Sequence, residues 1–148
     1  YDRSVKKPLV MLSAMGGSEH IPLANRYFAG GSTTIRGFDA RDVGPKEPEI
    51  LGIFGDDVAV GGELRLLNTL ELKYKASKFF RTYLFVDSGG VWLEPSDFDA
   101  GDMKYSVGLG LGFDVPFMGP IRLDYGFPLN PDDDQGSGKF HLQGGFRF

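Results

Sequence analysis

Lys104–Val115 reads Lys-Tyr-Ser-Val-Gly-Leu-Gly-Leu-Gly-Phe-Asp-Val. Every second residue is apolar: Tyr105, Val107, Leu109, Leu111, Phe113 and Val115. Between them stand Lys104, Ser106, Gly108, Gly110, Gly112 and Asp114. A period of two belongs to a β-strand with unlike faces. The same alternation continues in both directions. Downstream, Ile121, Leu123, Tyr125 and Phe127 alternate with Arg122, Asp124 and Gly126. The chain ends with Phe140, Leu142, Gly144, Phe146 and Phe148 against Lys139, His141, Gln143, Gly145 and Arg147. Upstream, residues 80–92 set Phe80, Thr82, Leu84, Val86 and Trp92 opposite Arg81, Tyr83, Phe85, Asp87 and Gly89. Residues 63–75 set Leu64, Leu66, Leu70, Leu72 and Tyr74 opposite Glu63, Arg65, Thr69, Glu71 and Lys73. Residues 9–15 form a further, less regular strand, apolar on both faces.

The connections alternate too. Residues 75–78 and 116–120 are short turns, the second reading Pro-Phe-Met-Gly-Pro. Residues 94–102 and 130–138 are longer and acidic, and residues 18–60 are longest and rich in glycine. Short turns at one end and long loops at the other are the pattern of outer-membrane barrels. So long a connection is expected to be functional. Six strands are too few for a single-chain barrel, which starts at about eight. An amphipathic sheet with two open edges does not suit a bilayer. The expectation is therefore an all-β chain that supplies part of a larger transmembrane antiparallel β-barrel.

Composition narrows the function. The chain has 148 residues, with 16 Lys+Arg, 20 Asp+Glu and a net charge of −4. That acidity argues against nucleic-acid binding, which needs a basic face. No cysteine is present, which excludes disulfides, zinc–thiolate sites and cysteine nucleophiles. The longest uncharged stretch, residues 8–18, is eleven residues, about half of what a transmembrane helix needs. Mean hydropathy of −0.17 is compatible with a membrane barrel, whose strands average lipid-facing and inward residues. Gly108, Gly110 and Gly112 lack dinucleotide-loop spacing and no helix follows them. His20 and His141 have no nearby partners for a metal, and Asp132-Asp133-Asp134 lacks the calcium-loop pattern. Ser13, Ser18 and Ser32 sit in no nucleophile-elbow sequence. No enzyme, cofactor or metal is expected.

Residues 25–38 read Asn-Arg-Tyr-Phe-Ala-Gly-Gly-Ser-Thr-Thr-Ile-Arg-Gly-Phe. With Ile21-Pro22-Leu23 before it, this stretch resembles the long-loop motif of the BamA-like family of outer-membrane β-barrel assembly factors. Three further phrases match in order. Gly61-Gly62 precedes Glu71, Phe85-Val86-Asp87-Ser88-Gly89 follows, and residues 108–148 resemble the family's closing strands. The final phrase, with Gln143, Gly145, Phe146 and Phe148, looks like a C-terminal β-signal. The resemblance covers about residues 20–148.

The resemblance implies a sixteen-stranded barrel preceded by periplasmic POTRA domains. This chain would supply the last six strands, the closing ones over residues 61–148, and an extracellular loop, residues 18–60, folded into the lumen. It implies that Arg36, in the Arg36-Gly37-Phe38 triplet, docks on Glu71 and Asp87, with Gly37 and Gly89 permitting close approach. A guanidinium has five donors in a planar fork, which suits a pair of carboxylates. The implied function is non-enzymatic insertion of other barrel proteins into the bacterial outer membrane through a seam between first and last strands. Its partners would be unfolded outer-membrane proteins, the lipid bilayer, accessory lipoproteins and periplasmic chaperones. Relatives that translocate or secrete proteins, such as TamA-like or two-partner secretion transporters, and a passive porin-like channel are the alternatives. Asp42-Val43-Gly44-Pro45 leans towards the assembly factors.

Overall fold

A computed structural model describes residues 3–5, 9–14, 22, 25–47, 57–133 and 135–144. It is built of strands: β1 (Arg3–Val5), β2 (Leu9–Ala14), β3 (Lys46–Glu47), β4 (Val58–Ala59), β5 (Leu64–Lys75), β6 (Phe80–Trp92), β7 (Lys104–Val115), β8 (Gly119–Pro128) and β9 (Lys139–Gly144). Gly145, Phe146 and Phe148 of the β-signal phrase lie outside the described residues. The 94–102 connection carries two short 3-10 turns, Pro95–Asp97 and Ala100–Asp102. Among the described residues no helix is long and apolar enough to cross a membrane, which says nothing of strands.

One antiparallel sheet holds seven of the nine described strands. β1 and β2 both pair with β5, along its end and its beginning respectively, and the order then runs β5–β6–β7–β8–β9. From β5 onward each strand pairs with the next in sequence, through tight turns after β5 and β7 and longer connections after β6 and β8. In the turn between β7 and β8, Phe117 has a positive φ of 72°. The register sets Asp87 opposite Ser106, Gly108 opposite Gly126 and Leu123 opposite Leu142. The loop adds a small hairpin of its own, β3 with β4, which periodicity did not predict because each strand is only two residues long.

The two faces of the sheet are inverted relative to a water-soluble protein. Leu109, Phe140 and Leu142 are exposed at 60%, 71% and 73%, whereas Asp87, Ser106 and Asp124 are fully buried at 0%. A soluble domain rarely leaves so continuous an apolar face uncovered. What buries the polar face is the chain's own loop. Residues 25–47 lie against it; a bridge from Tyr27 to Gly62 ties the loop to the chain just before β5, and one from Ala29 to Val43 closes the loop on itself. The apolar core is the loop–wall contact itself: Ala29, Ile35, Phe38 and Val43 from the loop meet Leu67 and Val91 from the sheet. Burying side chains such as Ile35 and Phe38 is worth about 1.5–3 kcal/mol each.

Trp92 departs from its alternation partners. It shares the outward face with Leu84 and Val86, which are exposed, yet it is buried. Its ring lies over Gly90 and stacks at 4.7 Å on Phe98 of the next connection. Strand periodicity sets the face on which a residue sits, and the returning loop decides whether that face is covered.

Candidate functional site

The site forms where the loop crosses the polar face. Arg36 is buried and its guanidinium engages two strands. Nε donates to Asp87 Oδ2 at 2.7 Å, Nη2 to Asp87 Oδ1 at 2.8 Å and Nη1 to Glu71 Oε2 at 3.2 Å. The backbone N–H of Arg36 also donates to Asp87 Oδ2, at 3.1 Å. The fork thus grips Asp87 in bidentate fashion, the strong geometry for this pair. The guanidinium also lies 3.4 Å above the Phe85 ring, an attractive position for a cation. Glu71 is on β5, while Phe85 and Asp87 are on β6 and share one face because they are two residues apart. Burial alone would lower the pKa of Arg36, but hydrogen bonding and attraction to Asp87 outweigh it and raise the pKa. The loop cation therefore stays charged.

A second arginine completes the network. Arg122 on β8 donates from Nη2 to Glu71 Oε2 at 2.7 Å and from Nε to Asp124 Oδ1 at 2.8 Å. Its guanidinium sits 4.0 Å from the Tyr83 ring centre. The other oxygen of Asp124 is 3.6 Å from Arg36 Nη1. Two cations and three carboxylates are thus interleaved across β5, β6 and β8, so no buried charge is left alone. Buried charges persist only when paired in this way.

Glycine contacts let the loop approach this closely. Gly37 has φ +95°, and its backbone rests on Gly126 of β8; a Cβ on Gly126 would come within 2.7 Å of Gly37 Cα. Gly89 is needed mainly within the wall, where a Cβ would collide with the Leu66 carbonyl oxygen on β5; the loop's Ile35 Cδ1 would lie 3.1 Å from it. Phe38 follows into the core at 1% exposure.

The structure therefore brings together Arg36, Gly37, Phe38, Glu71, Asp87 and Gly89. Gln143 lies apart from the charged network and donates to the carbonyl of Ser32 at 2.7 Å. Arg122, Asp124, Gly126 and His141 also belong to the site and were not singled out from the sequence. Their signal was present in the alternation: Arg122, Asp124 and Gly126 are consecutive polar-face positions of one strand. Among the described residues no group of three or more His, Asp or Glu side chains is arranged to hold a metal ion. The arrangement can clamp a loop to a wall. It presents no nucleophile with an adjacent base.

The model of the Omp85 superfamily domain matches residues 5–148. The outer membrane protein assembly factor BamA of Nitratidesulfovibrio vulgaris is 34% identical over 134 residues, 87% of this chain and 16% of that protein. A SAM50-like protein of Schizosaccharomyces pombe is 33% identical over 136 residues, 80% of this chain and 27% of that protein. The BamA of Neisseria meningitidis is 23% identical, covering 90% of this chain and 20% of its own length. The chain thus spans 16–27% of the length of these curated relatives. A crystal structure of BamA from Haemophilus ducreyi lacking POTRA domains 1–3 superposes with a TM-score of 0.67 at 24% identity. It covers 92% of this chain and 31% of that one, a likeness of fold.

Proposed function

The chain belongs to the Omp85 superfamily, and on that premise we propose that it is the closing part of an outer-membrane barrel that folds and inserts other β-barrel proteins. The complete barrel would have sixteen strands, with POTRA domains before it. Residues 18–60 form its lumenal loop and residues 61–148 its last strands. The observation that carries this reading is the inverted sheet: charge buried against the chain's own loop, and Leu, Phe and Tyr turned outward as a lipid-facing belt. The name of the two BamA relatives, outer membrane protein assembly factor, supports the same function.

The mechanism is physical rather than chemical. Arg36, Glu71 and Asp87 hold the loop against the wall, and the loop stiffens the end of the barrel where it closes. β9 is the last strand of the sheet, and among the described residues its outer edge has no strand partner. An open edge offers backbone donors and acceptors to an incoming extended segment, so a client strand adds to it by β-augmentation. Of the β-signal phrase Gln143, Gly145, Phe146 and Phe148, Gln143 lies in this edge strand. The clients are unfolded outer-membrane proteins, delivered by periplasmic chaperones and assisted by accessory lipoproteins.

The test is reconstitution of the full-length protein in liposomes with a urea-denatured client barrel. Client folding, read as heat-modifiable migration on a gel, should run several-fold faster than in empty liposomes. Equal rates would remove the assembly reading.

A further inference from the structure

The inward face of β9 is tied to the loop at every position. Gln143 Nε2 donates to the carbonyl of Ser32 at 2.7 Å. The backbone N–H of Gly37 donates to His141 Nε2 at 2.9 Å, which a neutral imidazole can accept. Lys139 Nζ pairs with Asp39 Oδ2 at 2.8 Å. The three side chains are spaced by two, so they line one face along roughly 13 Å of strand. Their partners run in the opposite order, Ser32, Gly37, Asp39, so this stretch of loop lies antiparallel along the strand. The Lys139–Asp39 pair is exposed and contributes little. The other two bonds are partly buried and weigh more.

β9 has reason to be held. Among the described residues it pairs with β8 at six positions, from Ile121 opposite Gly144 to Gly126 opposite Lys139. Its outward side chains, Phe140 and Leu142, are more than 70% exposed. A strand at the edge of the described sheet has a strand partner on one side, and such edges open locally at low cost. The loop, by contrast, is anchored independently of β9, through Arg36 to β5 and β6 and through Gly37 against Gly126 of β8.

We infer that Lys139, His141 and Gln143 are positioning residues through which the anchored loop splints the terminal strand, holding β9 in register with β8 and presenting its other edge as a fixed template. The splint itself follows from the contacts. Only its use, to offer that edge to an extended client segment, rests on the assembly reading.

The test is hydrogen exchange on the full-length protein in lipid nanodiscs. The double variant His141→Phe with Gln143→Glu removes one acceptor and one donor while keeping side-chain size. Its β9 amides, and those of residues 32–39, should exchange at least tenfold faster, with the β5–β6 ladder unchanged. His141→Gln, which offers an oxygen near the position of Nε2, should restore the protection that His141→Phe alone loses. A purely space-filling role would not distinguish those two variants. Unchanged β9 exchange would overturn the inference. So would equal acceleration in β5–β6, or failure of His141→Gln to rescue. If the double variant cannot be recovered folded, Gln143→Glu alone is judged by the same β9 criterion. No client enters this measurement. If the unaltered protein fails to insert a client while β9 still loosens in the double variant, the splint stands and the assembly reading falls.

Discussion

Replacing Arg36 by alanine is the sharpest perturbation this structure offers. The side chain makes hydrogen bonds of 2.7 and 2.8 Å to Asp87 and of 3.2 Å to Glu71. Glu71 retains Arg122 after the change. Among the described residues Asp87 retains the backbone N–H of residue 36 as its hydrogen-bond donor, and it is fully buried. An exposed ion pair would be worth about 1 kcal/mol or less. Stranding a buried charge by removing its partner costs about 3–5 kcal/mol, and burial makes the second figure the relevant one. At 1.4 kcal/mol per decade, the loop should open roughly a hundredfold to several thousandfold more often. Hydrogen exchange at residues 32–38 of the full-length protein in a bilayer reads this directly. Arg36→Lys should fall between wild type and alanine, since an ammonium cannot reproduce the bidentate fork. Adding Asp87→Asn to Arg36→Ala should recover part of the loss, because the stranded charge is then gone. Acceleration of less than about threefold would put the pair on the surface scale and refute the buried lock.

Three further outcomes follow from the same geometry. Gly126→Ala should lift the loop without dismantling the sheet, because the new Cβ would come within 2.6 Å of the Arg36 carbonyl carbon; overpacking of this kind costs about 1–3 kcal/mol, read as faster exchange at residues 32–38 with β6–β7 protection intact. Leu109→Arg, at an outward position in the middle of β7 that is 60% exposed, should destabilise the barrel in a bilayer by about 2–4 kcal/mol, measured by urea unfolding in liposomes; a neutral effect there would mean that this face does not meet lipid. The raised pKa of Arg36 fixes the sign of the pH dependence. A cation with a raised folded pKa contributes fully below its unfolded pKa and loses that contribution only as pH passes the folded one. Loop protection, corrected for intrinsic exchange, should therefore stay level from about pH 8 to 10, and a fall in that window would show that another group holds the loop.

The loop shows how far a single line of sequence reaches. Arg36 could be named from its motif, and Glu71 and Asp87 from the family resemblance, with alternation placing both on the polar faces of what are adjacent strands. Arg122 and Asp124 were visible on the polar face of their strand, but nothing local marked them as partners of the same arginine. Residues 145–148, which carry most of the β-signal phrase, lie outside the described part of the chain. Trp92 was assigned to the outward face and sits there, but the connection after β6 covers it.

Alternation determined the strands and their two faces, because a strand's side chains have a period of two and that period is written in adjacent residues. It also determined that the charged face must be inward, since a row of leucines and aromatics cannot share a wall with water as cheaply as with lipid. Only the tertiary structure decided which charges meet. Arg36 and Asp87 are 51 residues apart, Gly37 and His141 are 104 apart, and Ser32 and Gln143 are 111 apart. Those meetings depend on the register between strands and on the path by which the loop returns across them. The loop's path is set by close approach of Gly37 to Gly126, a contact that no local repeat announces.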